Sequence, residues 1–498
     1  MCKVLFYFRN SCAYANRKTV QFALNYEMVR SIIGLPAEKG GIDVVNQDVQ
    51  KVWDYIDAHK EQYLDILKKF CSQPSVSAQN WGMREMAEIV RETISDLGGN
   101  GELVETSGNP VVCGELNFGR KRTLTLYNHY DVVPPEPYEL WNTPPFEPTI
   151  VGDKMVARGV ADNKGSLLSR YCAIDAYLHV HGTLPINVKF VAEGEEEIGS
   201  VHLDEFIEAN RQRIQSDAII WEGSGKSLNH GPLHVALGVK GVTTFELRCK
   251  TVKSEMHALY SAILPNPIWR LVWALNSMKN EKDEITIDNF YDSVAPVTDY
   301  ERGFVERFPY DEDAMRAEIG RKDFINNLTG MPLKEKLYLE PSFNLEGFNG
   351  GNTGDSSKTI LPSEAVVKVD IRTVPNQSPE ELLELIRKHL DRRGFTDIEV
   401  VPGHSTIPFR GSPDSLLAKA VIQNVEDVYH MAPGVLLNMA GSCGMGHVCE
   451  LTGIPAVCFG VYNEGSNCHA PNEFVYLDDY FNGIKLSTAV IHDFAEVE

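Results

Sequence analysis

The sequence predicts an α/β fold: a mixed, mostly parallel sheet with helices on both faces, plus an inserted α+β domain. Three observations lead there. From residue 46 onward short apolar runs alternate with segments of helical periodicity, the order that builds a parallel sheet covered on both sides. Near Gly238 the pattern changes to alternating apolar and polar positions, as an antiparallel strand with one solvated face requires. After residue 402 a long helix and another apolar run return, so the first domain is discontinuous in sequence.

Each element has a local reason. Between 46 and 70 apolar residues recur at helical spacing (Val49, Trp53, Ile56, Leu64, Leu67, Phe70) and stop at the SQPSVS turn. A second helix over 81–97 is closed by Gly98 and Gly99. Short strands follow at ELVET and VVCGEL, then the strand RTLTLYNHYD, a helix over 165–181, the strand INVKFVA, a helix over 201–214 and the strand AIIW before Glu222. In the insert, taken as 239–402, VTTFELRCKTV reads as an antiparallel strand and NPIWRLVWALNSM as a helix. VVKVDIRTVP, SPEELLELIRKHLDRRG and DIEVVP then form a strand, helix, strand unit. The acidic, aromatic and weakly periodic stretch 282–336 goes with the insert. The helix over 415–429 and the strand PAVCFGVY return to the first domain, which comprises 46–238 and 403–498. Residues 1–45 form an N-terminal extension of unassigned role. Its first 26 residues carry Lys3, Arg9, Arg17 and Lys18 and no acid, a transit-peptide composition, but MCKVLFYF lacks the amphipathic pattern of one and a plain extension is favoured.

Composition bounds the function. At 498 residues the chain exceeds what one core supports, so two domains are expected. A net charge of −22 argues against nucleic acid or an anionic membrane surface as partner. No apolar run reaches the roughly 18 to 20 residues of a spanning helix, so a soluble protein is expected. The ten cysteines are scattered through apolar stretches without CxxC pairs, which suits reduced core thiols and a cytoplasmic location.

The chemistry gathers where the strands end. NHYDVVP at 128–134 sets His129 and Asp131 two residues apart at the exit of TLTLY. INVKFVA runs into Glu195, Glu196 and Glu197, AIIW into Glu222, and PAVCFGVY leads to His469. Open α/β sheets bind ligands at the carboxyl ends of their strands, and two imidazoles with several carboxylates suit a zinc-type site. Asp162 lies in the Gly-flanked loop ARGVADNKGS, where one carboxylate could face two ions; taken alone it reads as a helix N-cap. Asp162, Glu197 and Glu222 brought within a few ångströms would repel, and desolvating them unpaired costs several kcal/mol each. Two divalent cations resolve that conflict and leave a site able to acidify water.

Read together, NHYDVVP, GVADNKG, EEEIGS and NCHAPNE, in that order and spacing, resemble metallopeptidase family twenty, the dinuclear zinc hydrolases that include dipeptidases, carboxypeptidase G and acetylornithine deacetylase. The resemblance runs from about 47 to 490. It implies one zinc on His129 and Glu222, a second on Glu197 and His469, and Asp162 bridging both, with Mn2+ or Co2+ as possible substitutes. Asp131 would fix the tautomer of His129, and Glu196 would be the general base. EEEIGS settles the one-residue ambiguity of the Glu run through Ile198-Gly199-Ser200. A cis peptide bond after Asp162 is also implied. His257 in SEMHALY matches the histidine that this family lends to the partner subunit's site, so a homodimer is expected and the insert would serve as lid and dimerisation domain. Arg372 in VDIRTVP would grip a substrate carboxylate. Thr359, His404 and Ser442 match further substrate contacts, with Ala440 standing where the family's loop has its first glycine. NPIWRLVWAL looks more like the dipeptidase branch. The implied activity is hydrolysis of the amide bond of dipeptides or small peptides with a free carboxylate; the alternative is an N-acyl amino acid amidohydrolase with the same metal core.

Overall fold

A computed structural model describes residues 46–228 and 231–497; the N-terminal extension 1–45 lies outside the described residues. The main sheet has eight strands in the order Glu102–Val104, Val111–Leu116, Asn187–Glu193, Thr123–His129, Ala218–Trp221, Ala456–Cys458, His234–Ala236 and Gly434–Leu436. The three interfaces that join strands 187–193, 123–129, 218–221 and 456–458 are parallel, and antiparallel pairs lie toward both sides. Strand 456–458 therefore closes the parallel block although it comes some 230 residues after its neighbour 218–221.

Alternation along these strands divides two cores. Leu124, Leu126 and Ile220 face one side, where they meet the helices Gln47–Ala58, Lys60–Ser72, Met83–Asp96, Leu416–Tyr429 and a central pair, Lys164–His181 against Leu477–Phe494. The two central helices are buried nearly all round, which explains why the first of them shows so little amphipathic periodicity. Tyr127, Ile219 and Trp221 face the other side with the helices Leu203–Ile214 and Met445–Thr452. Tyr127 stacks on Trp221 with ring centroids 3.7 Å apart. The predicted first helix is two, broken at His59.

The insert is a four-stranded antiparallel sheet, ordered Ser342–Gly350, Glu364–Thr373, Gly241–Lys250 and Ile398–Thr406. The helices Pro267–Met278 and Pro379–Arg392 share its third core with Phe245, Leu247, Val367 and Val369. Its last strand runs on to Thr406. The two chain connections to the main domain pair with each other, Gly238 with Arg410 and Val239 with Phe409. A Cβ on Gly238 would stand 2.2 Å from Phe409 O, so the ribbon needs glycine there. Part of the stretch read with the insert packs elsewhere: Val305, Phe308, Tyr338 and Leu339, on or beside the helices Asp299–Arg307 and Gly330–Tyr338, join the core that holds Trp221. Among the described residues no helix is long and apolar enough to cross a membrane.

Candidate metal centre

His129 is the last residue of its strand and is buried. Its Nε2 lies 3.0 Å from Asp162 Oδ1 and 3.9 Å from Glu222 Oε2. Its Nδ1 lies 3.0 Å from the Asp131 carbonyl and 3.3 Å from Asp131 Oδ1. The ring is thus oriented from behind, and Nε2 is left to face the carboxylates. The Asp131 carboxylate also accepts the backbone N–H groups of Glu196 at 3.2 Å and Glu197 at 3.1 Å, joining two strand exits.

Asp162 stands at the centre. Its Oδ1 faces His129 and its Oδ2 lies 3.3 Å from His469 Nε2, so each oxygen meets a different imidazole. His469 Nε2 is also 3.1 Å from Glu197 Oε2. Donor atoms of His129, Asp162 and Glu197 all lie within 4.8 Å of one another. The loop that carries Asp162 includes a cis peptide bond to Asn163. It is clamped by Glu473, a residue to which the sequence reading gave no role. The Glu473 carboxylate accepts the backbone N–H groups of Gly159, Ala161 and Asp162 at 2.9, 2.8 and 3.0 Å and pairs with buried Arg158 at 2.8 Å. The available signal was its place four residues after His469 in NCHAPNE. Gly165 completes the fit, because a Cβ there would stand 2.2 Å from Val160 O.

The Glu run divides by partners. Glu195 is spent on structure: its carboxylate accepts Asn109 N–H at 2.9 Å and lies 2.7 Å from His202 Nδ1. Burial pushes Glu222 well above the usual carboxylate range, Glu197 up to about 7, and Glu196 upward. Burial also opposes ionisation of Asp162, but hydrogen bonds to His129 and His469 outweigh it and hold that carboxyl low. For His129 burial works against the charged form, yet Glu222, Asp131 and Asp162 carry its pKa well above the imidazole range. Bonds to Asp162 and Glu197 raise His469 to about 10. Without a cation the cluster therefore balances itself with protons. Glu197 Oε1 and Glu222 Oε2 remain buried with no hydrogen-bond partner, an arrangement that costs free energy unless a cation meets them. Nitrogen and oxygen donors in this mixture fit zinc, with oxygen-rich ligation also suiting manganese.

The other predicted residues fall into two groups. Arg372 Nη1 donates to Ser442 Oγ at 2.9 Å, joining the insert sheet to the loop before the helix Met445–Thr452; Arg372 Nε also lies 3.5 Å from Asp370 Oδ1. The His404 ring lies against Gly199, its Cε1 3.3 Å from where a Cβ would stand on that residue. His404 thus stands beside the turn that follows Glu197. His257 and Thr359 form a separate group on the two-stranded ribbon Met256–His257 with Ile360–Leu361. Both are exposed, Ala258 N–H donates to Thr359 O at 3.0 Å, and His257 Nδ1 accepts Leu259 N–H at 3.1 Å. Among the described residues no hydrogen bond or ion pair joins either to the carboxylate cluster.

Comparison with known proteins places the chain in a family and a fold. Residues 125–493 match the family described as peptidase family M20/M25/M40. The chain is 26% identical over 482 residues to Cys-Gly metallodipeptidase dug1 of Schizosaccharomyces pombe, covering 91% of this chain and all of that protein. It is 25% identical to human Beta-Ala-His dipeptidase, covering 90% of this chain and 93% of that one. Among solved structures, the M20 family metallo-carboxypeptidase Sso-CP2 from Sulfolobus solfataricus superposes with a TM-score of 0.82 at 37% identity, over 87% of this chain and 99% of that one. Human carnosine dipeptidase 1 shares the fold, with a TM-score of 0.75 at 24% identity over 91% of this chain and 100% of that one.

Proposed function

The chain belongs to peptidase family M20/M25/M40, and from that premise we propose that it is a metal-dependent peptidase that hydrolyses dipeptides or similarly small peptides with a free carboxylate. Its curated relatives include proteins named Cys-Gly metallodipeptidase and Beta-Ala-His dipeptidase. One observation carries the site: a single carboxylate, Asp162, whose two oxygens face two different imidazoles while buried oxygens of Glu197 and Glu222 have no hydrogen-bond partner. In this reading His129, Asp162 and Glu222 hold one divalent ion, and Asp162, Glu197 and His469 hold the other. Such a pair of ions, when bound, supplies Lewis acidity that polarises a carbonyl and makes water easier to deprotonate.

The protein's own residues do the rest. Glu196, next in the chain to a ligand and raised in pKa by burial, takes the proton of the attacking water and delivers it to the leaving amine. Asp131 keeps the imidazole of His129 in one orientation. Arg372 and Ser442, already in contact, receive the substrate carboxylate, a fork-shaped donor against a two-oxygen acceptor. His404 lines the approach, and Thr359, on the same ribbon as His257, goes with that histidine. His257 serves the partner subunit's site in a homodimer, where it stabilises the developing oxyanion. Support for the dimer comes from the helix that follows it: Trp269 and Trp273 are stacked and about half exposed, beside exposed Val272 and Ile263, a patch of the kind that marks an interface. The eight cysteines among the described residues are all free, which suits a reducing compartment such as the cytoplasm.

The test is hydrolysis by chelator-stripped protein before and after addition of zinc, manganese or cobalt. The substrates are dipeptides, amino-terminally blocked dipeptides, and N-acetyl and N-succinyl amino acids. Metal-dependent turnover of free dipeptides is expected. A clear preference for the acyl amino acids overturns the peptidase reading, and preference for blocked dipeptides moves it toward a carboxypeptidase.

A further inference from the structure

We propose that Arg170, inside the buried helix Lys164–His181, is a positioning residue that sets the first of the two metal positions; the inference rests on the ligand assignment just made. Its guanidinium is buried, and its four terminal N–H groups are all used. Nη1 donates to Tyr127 O at 2.8 Å and Asn128 Oδ1 at 2.7 Å, and Nη2 donates to Trp221 O at 2.7 Å and Phe459 O at 2.8 Å. Three of these acceptors are main-chain carbonyls of three adjacent strands or their immediate exits.

Their place in the ladders explains the need. Pairing between strands 123–129 and 218–221 ends at Leu126 with Ile220, and pairing between 218–221 and 456–458 ends at Trp221 with Cys458. Beyond those pairs the ladder supplies no further donors across these strands, and the carbonyls of Tyr127, Trp221 and Phe459 would be buried without partners. One planar fork of fixed geometry satisfies all three, which a lysine ammonium cannot reproduce. Arg170 thereby fixes the spacing at which the strands deliver their side chains.

The ligands it governs are specific. Tyr127 and Asn128 immediately precede His129, and Trp221 immediately precedes Glu222. Asn128 relays the restraint further, since its Nδ2 donates to Asn163 Oδ1 at 2.6 Å, and Asn163 follows Asp162. All three ligands of the first ion are thus one or two residues from a group that Arg170 holds directly or through Asn128. Glu197 and His469, which belong to the second ion alone, have no such link, and that ion shares only Asp162 with the first. None of the atoms bonded to Arg170 carries a formal charge, so a purely electrostatic task would not require this arrangement.

The experiment follows metal binding rather than turnover. Metal-free wild type, Arg170→Lys and Asn128→Ser are titrated with Co2+ by visible absorption, with stoichiometry from elemental analysis and thermal unfolding of the metal-free proteins alongside. Wild type should take up two ions. In both variants one step should weaken by roughly 10- to 100-fold, the usual loss when a ligand's supporting contact is removed, and the other should stay within about threefold. Asn128→Ser cuts one of the four bonds and answers the question even if Arg170→Lys fails to fold. If the variants bind both ions as wild type does, Arg170 is a structural residue only and the inference is overturned. If wild type itself binds fewer than two ions, the ligand assignment falls first and takes the inference with it.

Discussion

Glu473 is buried and Glu196 half-buried near the same aspartate, and replacing each by glutamine should have opposite signatures. Glu473→Gln keeps the shape but leaves the Arg158 guanidinium buried with no counter-charge, a loss of about 3–5 kcal/mol. Urea unfolding checks this, and a change below about 1 kcal/mol would contradict the clamp. Glu196→Gln should leave stability and metal content near wild type and cut turnover by at least about 10²; hydrolysis at the original rate would remove Glu196 from the mechanism. The cluster also makes a pH prediction for metal-free protein. Folding raises Glu197 from 4.5 to about 7 and His469 from 6.5 to about 10. The folded state therefore binds more protons than the unfolded chain between those limits, and stability falls as pH rises from about 4.5 toward 10. The His469 share is the smaller, because its side chain is 57% exposed to screening solvent. Metal replaces these protons, so loaded protein should lose that slope and bind metal more weakly as pH drops. Thermal melts of both forms across this range decide it.

At the scale of elements, the strand exits were legible because each motif is contiguous: TLTLYNH reads as a buried strand ending on its histidine without any knowledge of its neighbours. The clamps were not. Arg158 meets Glu473 across 315 positions, and Arg170 meets Phe459 O across 289, distances over which a single sequence carries no pairing signal. The stretch 282–336 was legible only as acidic and aromatic, since the nine-residue helix Asp299–Arg307 buries only Phe304 and Val305, too few for a period to show. Those residues pack on the main sheet, which local pattern does not encode. The glycines of the Asp162 loop do carry a sequence-visible constraint that can be tested. In Gly165→Ala the new methyl meets a backbone oxygen and not a yielding side chain, so the loop must move. We expect destabilisation of about 1–3 kcal/mol together with weaker metal binding, and an alanine variant equal to wild type in both would show the contact to be slack.

For the whole molecule, the question is whether one chain holds a complete site. The main domain holds the carboxylates and imidazoles, and the insert meets that domain through Arg372 on Ser442 and His404 on Gly199. His257 lies exposed on a separate ribbon, shortly before the helix whose exposed face carries Trp269 and Trp273. Exposure of a residue whose proposed partner is a charged transition state makes sense if a second copy supplies that partner. His257→Ala should then lower the rate by roughly 10² to 10³, and the loss should be recoverable in mixtures. A His257→Ala subunit keeps Glu196, and a Glu196→Gln subunit keeps His257, so a mixed dimer contains one site with both groups. After random reassortment half the dimers are mixed and each has one working site of two, so activity should return to about a quarter of wild type. If the histidine serves its own subunit, no combination restores a site, and the mixture stays at the level of its two parents. A dimer-disrupting change such as Trp273→Glu, introduced into both variants, should abolish the recovery while leaving metal content unchanged.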